Sequence, residues 1–81
     1  MSKPVSFDLS PDVAAVTLIS PKTSSRISSL SPRQEDRLEA QGKYPRSVRL
    51  GIGPNSRKAR VLGEVLDWNR ARIAERDGST T

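Results

Sequence analysis

Apolar residues come in short, separated groups along this chain, and the spacing within each group predicts a different element. The run Val13 to Ile19 (VAAVTLI) is continuous and fits either a short strand or a helical turn, with Val16, Thr17 and Ile19 favouring the extended form. Beyond it the pattern turns polar. Ser20 followed by Pro21 reads as an N-cap with proline at the first helical position, opening a short helix over Pro21 to Ser28. Its serines are poor helix formers, so contacts through Ile27 and Leu30 must hold it. Ser31, Pro32 and Gln34 repeat the opening signal with the spacing of a capping box, and Gly42 falls where a helix stops. A second helix is therefore expected from Pro32 to Gln41. Only Ser29 to Ser31 separates it from the first, which is a helix-turn-helix spacing.

Tyr44-Pro45 forces an extended exit. Arg46 to Leu50 then alternates, with Val48 and Leu50 on one face and Arg49 on the other. Gly51 to Ser56 is rich in turn formers, and Arg57 to Val61 returns as a partner strand. The last group, Leu62, Val65, Leu66, Asn69 and Ile73, has helical spacing with Trp68 at its flank, predicting a helix from Leu62 to Arg76. Glu64 and Asp67 near its start and Arg70, Arg72 and Arg76 near its end suit the helix dipole. Residues 1–12 read as a disordered arm, 13–76 as one domain and 77–81 as a polar tail. The expected fold class is mainly α with a small β-hairpin, a winged helix-turn-helix.

Composition narrows the chemistry. The chain has 81 residues, 33% of them apolar, with Phe7, Tyr44 and Trp68 as its aromatics, so only a modest core is expected. It has no His and no Cys. The usual neutral-pH base, the best nucleophile and thiolate metal sites are therefore absent, and the acids read as lying on polar helix surfaces without a pocket to tune them. No enzyme activity, metal or cofactor is expected. With no apolar run of membrane-spanning length and no visible signal peptide, a cytoplasmic, nucleoid-associated protein is expected.

Charge adds the decisive asymmetry. Residues 33–60 carry eight basic side chains against three acidic ones, which accounts for the whole formal net charge of +5. A small domain with one concentrated basic face suits a polyanion. Within the second helix, Arg33, Gln34, Arg37 and Gln41 fall in an arc of about 100°. Arg pairs with guanine and Gln with adenine in the major groove. Lys43, Arg46, Arg49, Arg57, Lys58 and Arg60 complete the expected DNA-binding set, with Arg57 and Lys58 beside the hairpin turn placed to reach phosphates or a minor groove. Trp68 and Tyr44 read as packing residues. Gly51-x-Gly53 is not a nucleotide fingerprint, because position 56 is Ser and no helix opens there.

Several of these residues together resemble the AlpA and excisionase group of small phage and mobile-element DNA-binding proteins, related to the winged-helix domain of MerR-type regulators. The resemblance rests on Leu30-Ser31, on Ala40-Gln41-Gly42-Lys43-Tyr44-Pro45, on Val48 to Gly51, and on Glu64-Val65-Leu66-Asp67-Trp68 followed by Ala71 to Arg76. It spans about Thr17 to Arg76. It implies a recombination directionality factor that binds repeated sites beside an attachment site, bends the double-stranded DNA and helps a tyrosine integrase excise a mobile element. A transcriptional regulator of the AlpA type is the alternative it implies, and an inhibitor that uses its basic face on an acidic protein is a second. The chain departs from the pattern in the middle of the second helix, where Glu35, Asp36 and Glu39 replace apolar or aromatic residues, and in the second wing strand, where Arg60 replaces an aromatic. Glu35 and Glu39 form a like-charge i, i+4 pair. They are expected to meet Arg70, Arg72 or Arg76 of a neighbouring copy, giving cooperative head-to-tail self-association on DNA.

Overall fold

Local signals place most of the elements. The computed structural model describes residues 10–53 and 56–78. Ser20 caps α2 (Pro21–Ser28) by accepting the Thr23 N–H at 3.1 Å. Ser31 caps α3 (Pro32–Ala40) with both halves of the capping box formed. The end of α3 is equally well defined. Gly42 takes a φ of +74°, and the N–H groups of Gly42 and Lys43 reach back to the carbonyls of Glu39 and Leu38 at 2.9 and 2.8 Å. That pair of bonds is a Schellman stop, which needs a residue without a Cβ penalty at the left-handed position. α2 ends in the same conformation on Ser29.

The N-terminal apolar run divides rather than forming one strand. Pro11–Ala14 is a helical turn, α1, and only Leu18–Ile19 is extended, as β1. Pro11 at the first helical position favours the turn, and the Thr17 hydroxyl donates to the Val13 carbonyl and holds the chain bent. Ordered structure thus begins inside the segment expected to be a disordered arm. Residues 1–9 of that arm, residues 79–81 of the tail and the turn residues Pro54 and Asn55 lie outside the described residues.

β1, β2 (Val48–Arg49) and β3 (Lys58–Val61) form an antiparallel sheet in the order β1-β3-β2. Its register sets Ile19 opposite Arg60, and Arg49 opposite Lys58. α4 (Leu62–Arg76) follows β3 directly. Its glycine, Gly63, brings α1 close: a Cβ there would stand 3.1 Å from the Ala14 backbone. Ala14, Ile19, Tyr44, Leu62 and Val65 are the buried apolar cluster, with Ile27, Leu30, Leu38, Leu66 and Trp68 packed around it. Two side chains of α4 tie this core to backbone carbonyls, one in the loop after α3 and one in α2. The Trp68 indole N–H donates to Lys43 at 2.8 Å, and the Asn69 amide donates to Ile27 at 3.0 Å. Among the described residues, no helix is long and apolar enough to cross a membrane.

Candidate nucleic-acid interface

Helix α3 has two charged faces with opposite fates. Glu35, Asp36 and Glu39 lie within an arc of about 100°, separate from the Arg and Gln arc. The acidic arc is turned towards β3. There Arg60, only 1% exposed, points from the strand into the interior, and Glu35 is 0% exposed. The Arg60 guanidinium donates to Glu39 at 2.7 Å, to the Pro45 carbonyl at 2.8 Å and to Asp36 at 3.0 Å. It also sits 5.1 Å from the centre of the Tyr44 ring. Its Nε lies 3.5 Å from Glu35 Oε1, and neither of these two buried atoms has a hydrogen-bond partner. The other oxygen of Glu35 is crowded with donors: the hydroxyls of Ser28, Ser24 and Tyr44 reach it at 2.7, 2.9 and 3.0 Å.

This seam corrects two expectations. Arg60 is not an exposed DNA contact, because a buried guanidinium needs anionic partners and α3 supplies three. Glu35 and Glu39 are not a free acidic face for a neighbouring copy, because those carboxylates are engaged within their own chain. The acids expected on polar surfaces are, in this helix, partly interior. Arg70, Arg72 and Arg76 are exposed, but each pairs with a carboxylate of its own chain, namely Asp67, Glu75 and Asp77.

Titration reflects the same contacts. Burial opposes ionisation of Glu39, yet the Arg60 guanidinium and the Ser47 N–H and hydroxyl outweigh it and hold its carboxyl below the ordinary value of 4.5. Burial pushes the Tyr44 phenol above its ordinary value of 10.0, and the neighbouring Glu35 carboxylate adds to the effect.

The basic arc stays outside. Arg33, Gln34, Arg37 and Gln41 are all exposed. Gln34 is partly committed, since its side-chain oxygen accepts the Ser31 N–H in the capping box; bidentate pairing with adenine competes with that cap. Lys43, Arg46, Arg49 and Arg57 are exposed as well. None of the six arginines and lysines Arg33, Arg37, Lys43, Arg46, Arg49 and Arg57 has an ion-pair partner within 4.0 Å among the described residues. Six free cations against a seam of two basic and three acidic groups leave the whole excess charge on the surface.

The hairpin's cations differ in how they are held. Lys58 lies on the α3 side and donates to Asp36 at 2.6 Å, so the strand is fastened one residue away from Arg37. Arg46, Arg49 and Lys58 line an open groove with Asp36, Glu39 and Ala40. Arg57, just before β3, lines a second groove with Ser20, Pro21 and Leu50, and Lys58 borders that groove too. The two neighbours differ in their ion pairing: Lys58 is held by Asp36, whereas Arg57 has no ion-pair partner among the described residues. Sequence reasoning also missed Ser24, Ser28 and Asp36 as seam residues. One signal was present: the three acids of α3 share one side of the helix with Leu38, the side that must face the core.

No protein-family model matches the chain, and comparisons with curated proteins and with solved structures return no match.

Proposed function

We propose that this protein is a winged helix-turn-helix that binds duplex DNA by sequence, without catalysis, with α3 as its recognition helix and the β2–β3 hairpin as its wing. The observation that carries this is the sorting of charge on α3. Every acid of the helix is turned towards the hairpin and ion-paired there with Arg60 or Lys58, while Arg33 and Arg37 stand outward without a carboxylate partner. An approaching phosphate backbone thus meets cations with little opposing charge. Support for the role comes from the resemblance to excisionases: the protein acts as a recombination directionality factor that binds beside an attachment site, bends it and directs a tyrosine integrase towards excision. The elastic cost of such bending is a few kcal/mol, which several bound protomers can offset.

Duplex binding measured against salt tests the proposal. Each neutralised phosphate contributes about −0.9 to the slope of log K against log salt, so four or so contacts give a steep decline. Arg33→Ala and Arg37→Ala are expected to relax base preference at defined positions, each at a cost of about 1–3 kcal/mol. Arg49→Ala is expected to weaken all sequences alike. A flat salt slope, or no affinity for duplex DNA, favours an acidic protein partner instead. Binding near a promoter without any effect on excision favours a transcriptional regulator.

A further inference from the structure

The three acids of α3 are not engaged alike. Glu39 commits both carboxylate oxygens within the fold, one to Arg60 and one to the Ser47 N–H and hydroxyl. Glu35 is fully enclosed. Asp36 differs from both. Its side chain is 47% exposed, and Lys58 and Arg60 donate to the same oxygen, Oδ1, at 2.6 and 3.0 Å. No hydrogen bond among the described residues falls on Oδ2. Two cations thus hold the carboxylate in one orientation while its second oxygen keeps its lone pairs for another donor. Stability does not account for the residue. Arg60 has Glu35 and Glu39 without it, and exposed ion pairs such as the one with Lys58 contribute little. On a surface suited to phosphates, Asp36 withdraws one cation and adds one negative charge, which calls for a compensating contact.

We propose that Asp36 is a base-reading residue whose Oδ2 accepts the N4 amino group of a cytosine in the major groove. The inference rests on the DNA-binding reading above and adds a specificity determinant to it. Around the helix axis Asp36 stands about 60° from Arg33, at the hairpin-side margin of the basic arc, and about 4.5 Å along the axis from it. Successive bases on a strand are about 3.4 Å apart, so the two side chains reach neighbouring pairs. In the major groove cytosine presents a donor, whereas guanine and thymine present the acceptors O6, N7 and O4. Adenine also offers an amino group, but its N7 acceptor lies beside it and repels a carboxylate. A fixed carboxylate oxygen therefore selects cytosine. Lys58 and Arg60 make its charge tolerable beside phosphates, since they offset it without bonding to Oδ2. Ala40, one turn further along and in the same groove, is too short to block the approach of a base edge.

Selection of duplexes from a random-sequence library by the full chain, followed by titration of the recovered site, provides the test. The wild-type protein is expected to recover a cytosine beside the position that Arg33→Ala relaxes, and to prefer it over thymine at least about fivefold. Deleting only the N4 amino group of that cytosine, with 2-pyrimidinone in its place, is expected to cost a similar factor. Asp36→Ala is expected to lose the preference at that one position and to ignore the amino-group deletion. It is also expected to bind unrelated sequences at least as well as wild type, because Lys58 is released to phosphates. Asp36→Asn carries the sharpest signature. Its amide oxygen stays with Lys58 and Arg60, which turns the NH2 outward as a donor. The selected base is then expected to switch from cytosine to one with an acceptor, guanine or thymine. A purely structural role would weaken all sequences alike and exchange no base for another. Unchanged base preference in both Asp36 variants, or wild-type indifference to the missing amino group, overturns the assignment and leaves DNA binding standing. A wild-type chain with no sequence preference, or with no affinity for duplex DNA, overturns both.

Discussion

Two parts of the interior are held together by different forces. Beneath α2 and α4 the contact is apolar: Leu62 and Val65 are completely buried, with Ile19, Ala14 and the Tyr44 ring around them. Between α3 and β3 the contact is ionic, and its centre is one arginine among three carboxylates. Apolar burial stabilises without preferring a direction. A guanidinium in a fixed fork is directional, so the seam sets the angle of the hairpin relative to α3. The contrast also explains why the acids of α3 and Arg60 occur together. Acids on α3 without Arg60, or Arg60 without the acids, would leave a buried charge alone. Present together, they replace an apolar contact by a polar one.

The largest expected effect comes from breaking the seam on one side. Arg60→Met is expected to destabilise the fold by about 3–5 kcal/mol, because Glu35 is left buried as an anion without a cation. That approaches the entire stability of a small domain, which starts at roughly 5 kcal/mol. Val65→Ala opens a cavity in the apolar half and strands no charge, so its cost is expected to be smaller. The pair Arg60→Met/Glu35→Gln removes both charges and is expected to recover much of the loss, while the hydroxyls of Ser24, Ser28 and Tyr44 keep an amide oxygen to donate to. Urea denaturation of wild type, Arg60→Met, Glu35→Gln and the double variant checks this as a double-mutant cycle, with Val65→Ala measured beside them. Equal losses for Arg60→Met and Val65→Ala would erase the distinction between the two regions.

Acid separates the regions next. The Glu39 carboxyl is held below 4.5 in the folded protein. A carboxyl depressed on folding contributes stability that is present above its unfolded value and is lost as pH falls through the folded one. Stability is therefore expected to drop below about pH 4.5, with the apolar half unaffected by the titration itself. Denaturation midpoints followed from neutral to acidic pH check the direction, and Glu39→Gln is expected to flatten the acid limb at the cost of lower stability at neutral pH.

The legible and illegible parts of this chain differ in the same way. Helix starts and stops were readable because a cap is a local contract: Ser31 and Gln34 satisfy each other over three residues, and Gly42 ends α3 with bonds to its own last turn. The hairpin and α4 followed from alternation and helical spacing. The strand expected over Val13 to Ile19 was shortened by a local competitor, the proline-led turn of α1. Arg60 was unreadable for a different reason. A basic residue in a basic run has the same appearance whether water or carboxylates surround it, and only the pairing of β3 beneath α3 decides. Arg57 and Arg60 are three residues apart, one fully available and the other sealed. Of the expected interface, the outward arc of α3 survives as an exposed cationic surface, and its acidic neighbours became framework.

Tyr44 belongs to both regions and permits the finest cut between them. Its ring packs in the apolar cluster, with Trp68 in a T-shaped contact at 5.0 Å between centres and Arg60 over its face. Its hydroxyl enters the seam and donates to Glu35 at 3.0 Å. Tyr44→Phe keeps the ring and deletes the hydroxyl alone. Two donors, Ser24 and Ser28, remain on the same carboxylate oxygen, so the expected loss is only about 1 kcal/mol. The phenol carries a second signature. Its folded value is raised above 10.0, so its contribution is complete below that pH and is lost as pH rises through the folded value. Tyr44→Phe is expected to abolish that alkaline loss while leaving the acid limb unchanged. If the Phe variant instead loses as much stability as Arg60→Met, the hydroxyl rather than the guanidinium is the keystone of the seam, and the ionic half of the interior is organised around Glu35 and its three hydroxyl donors.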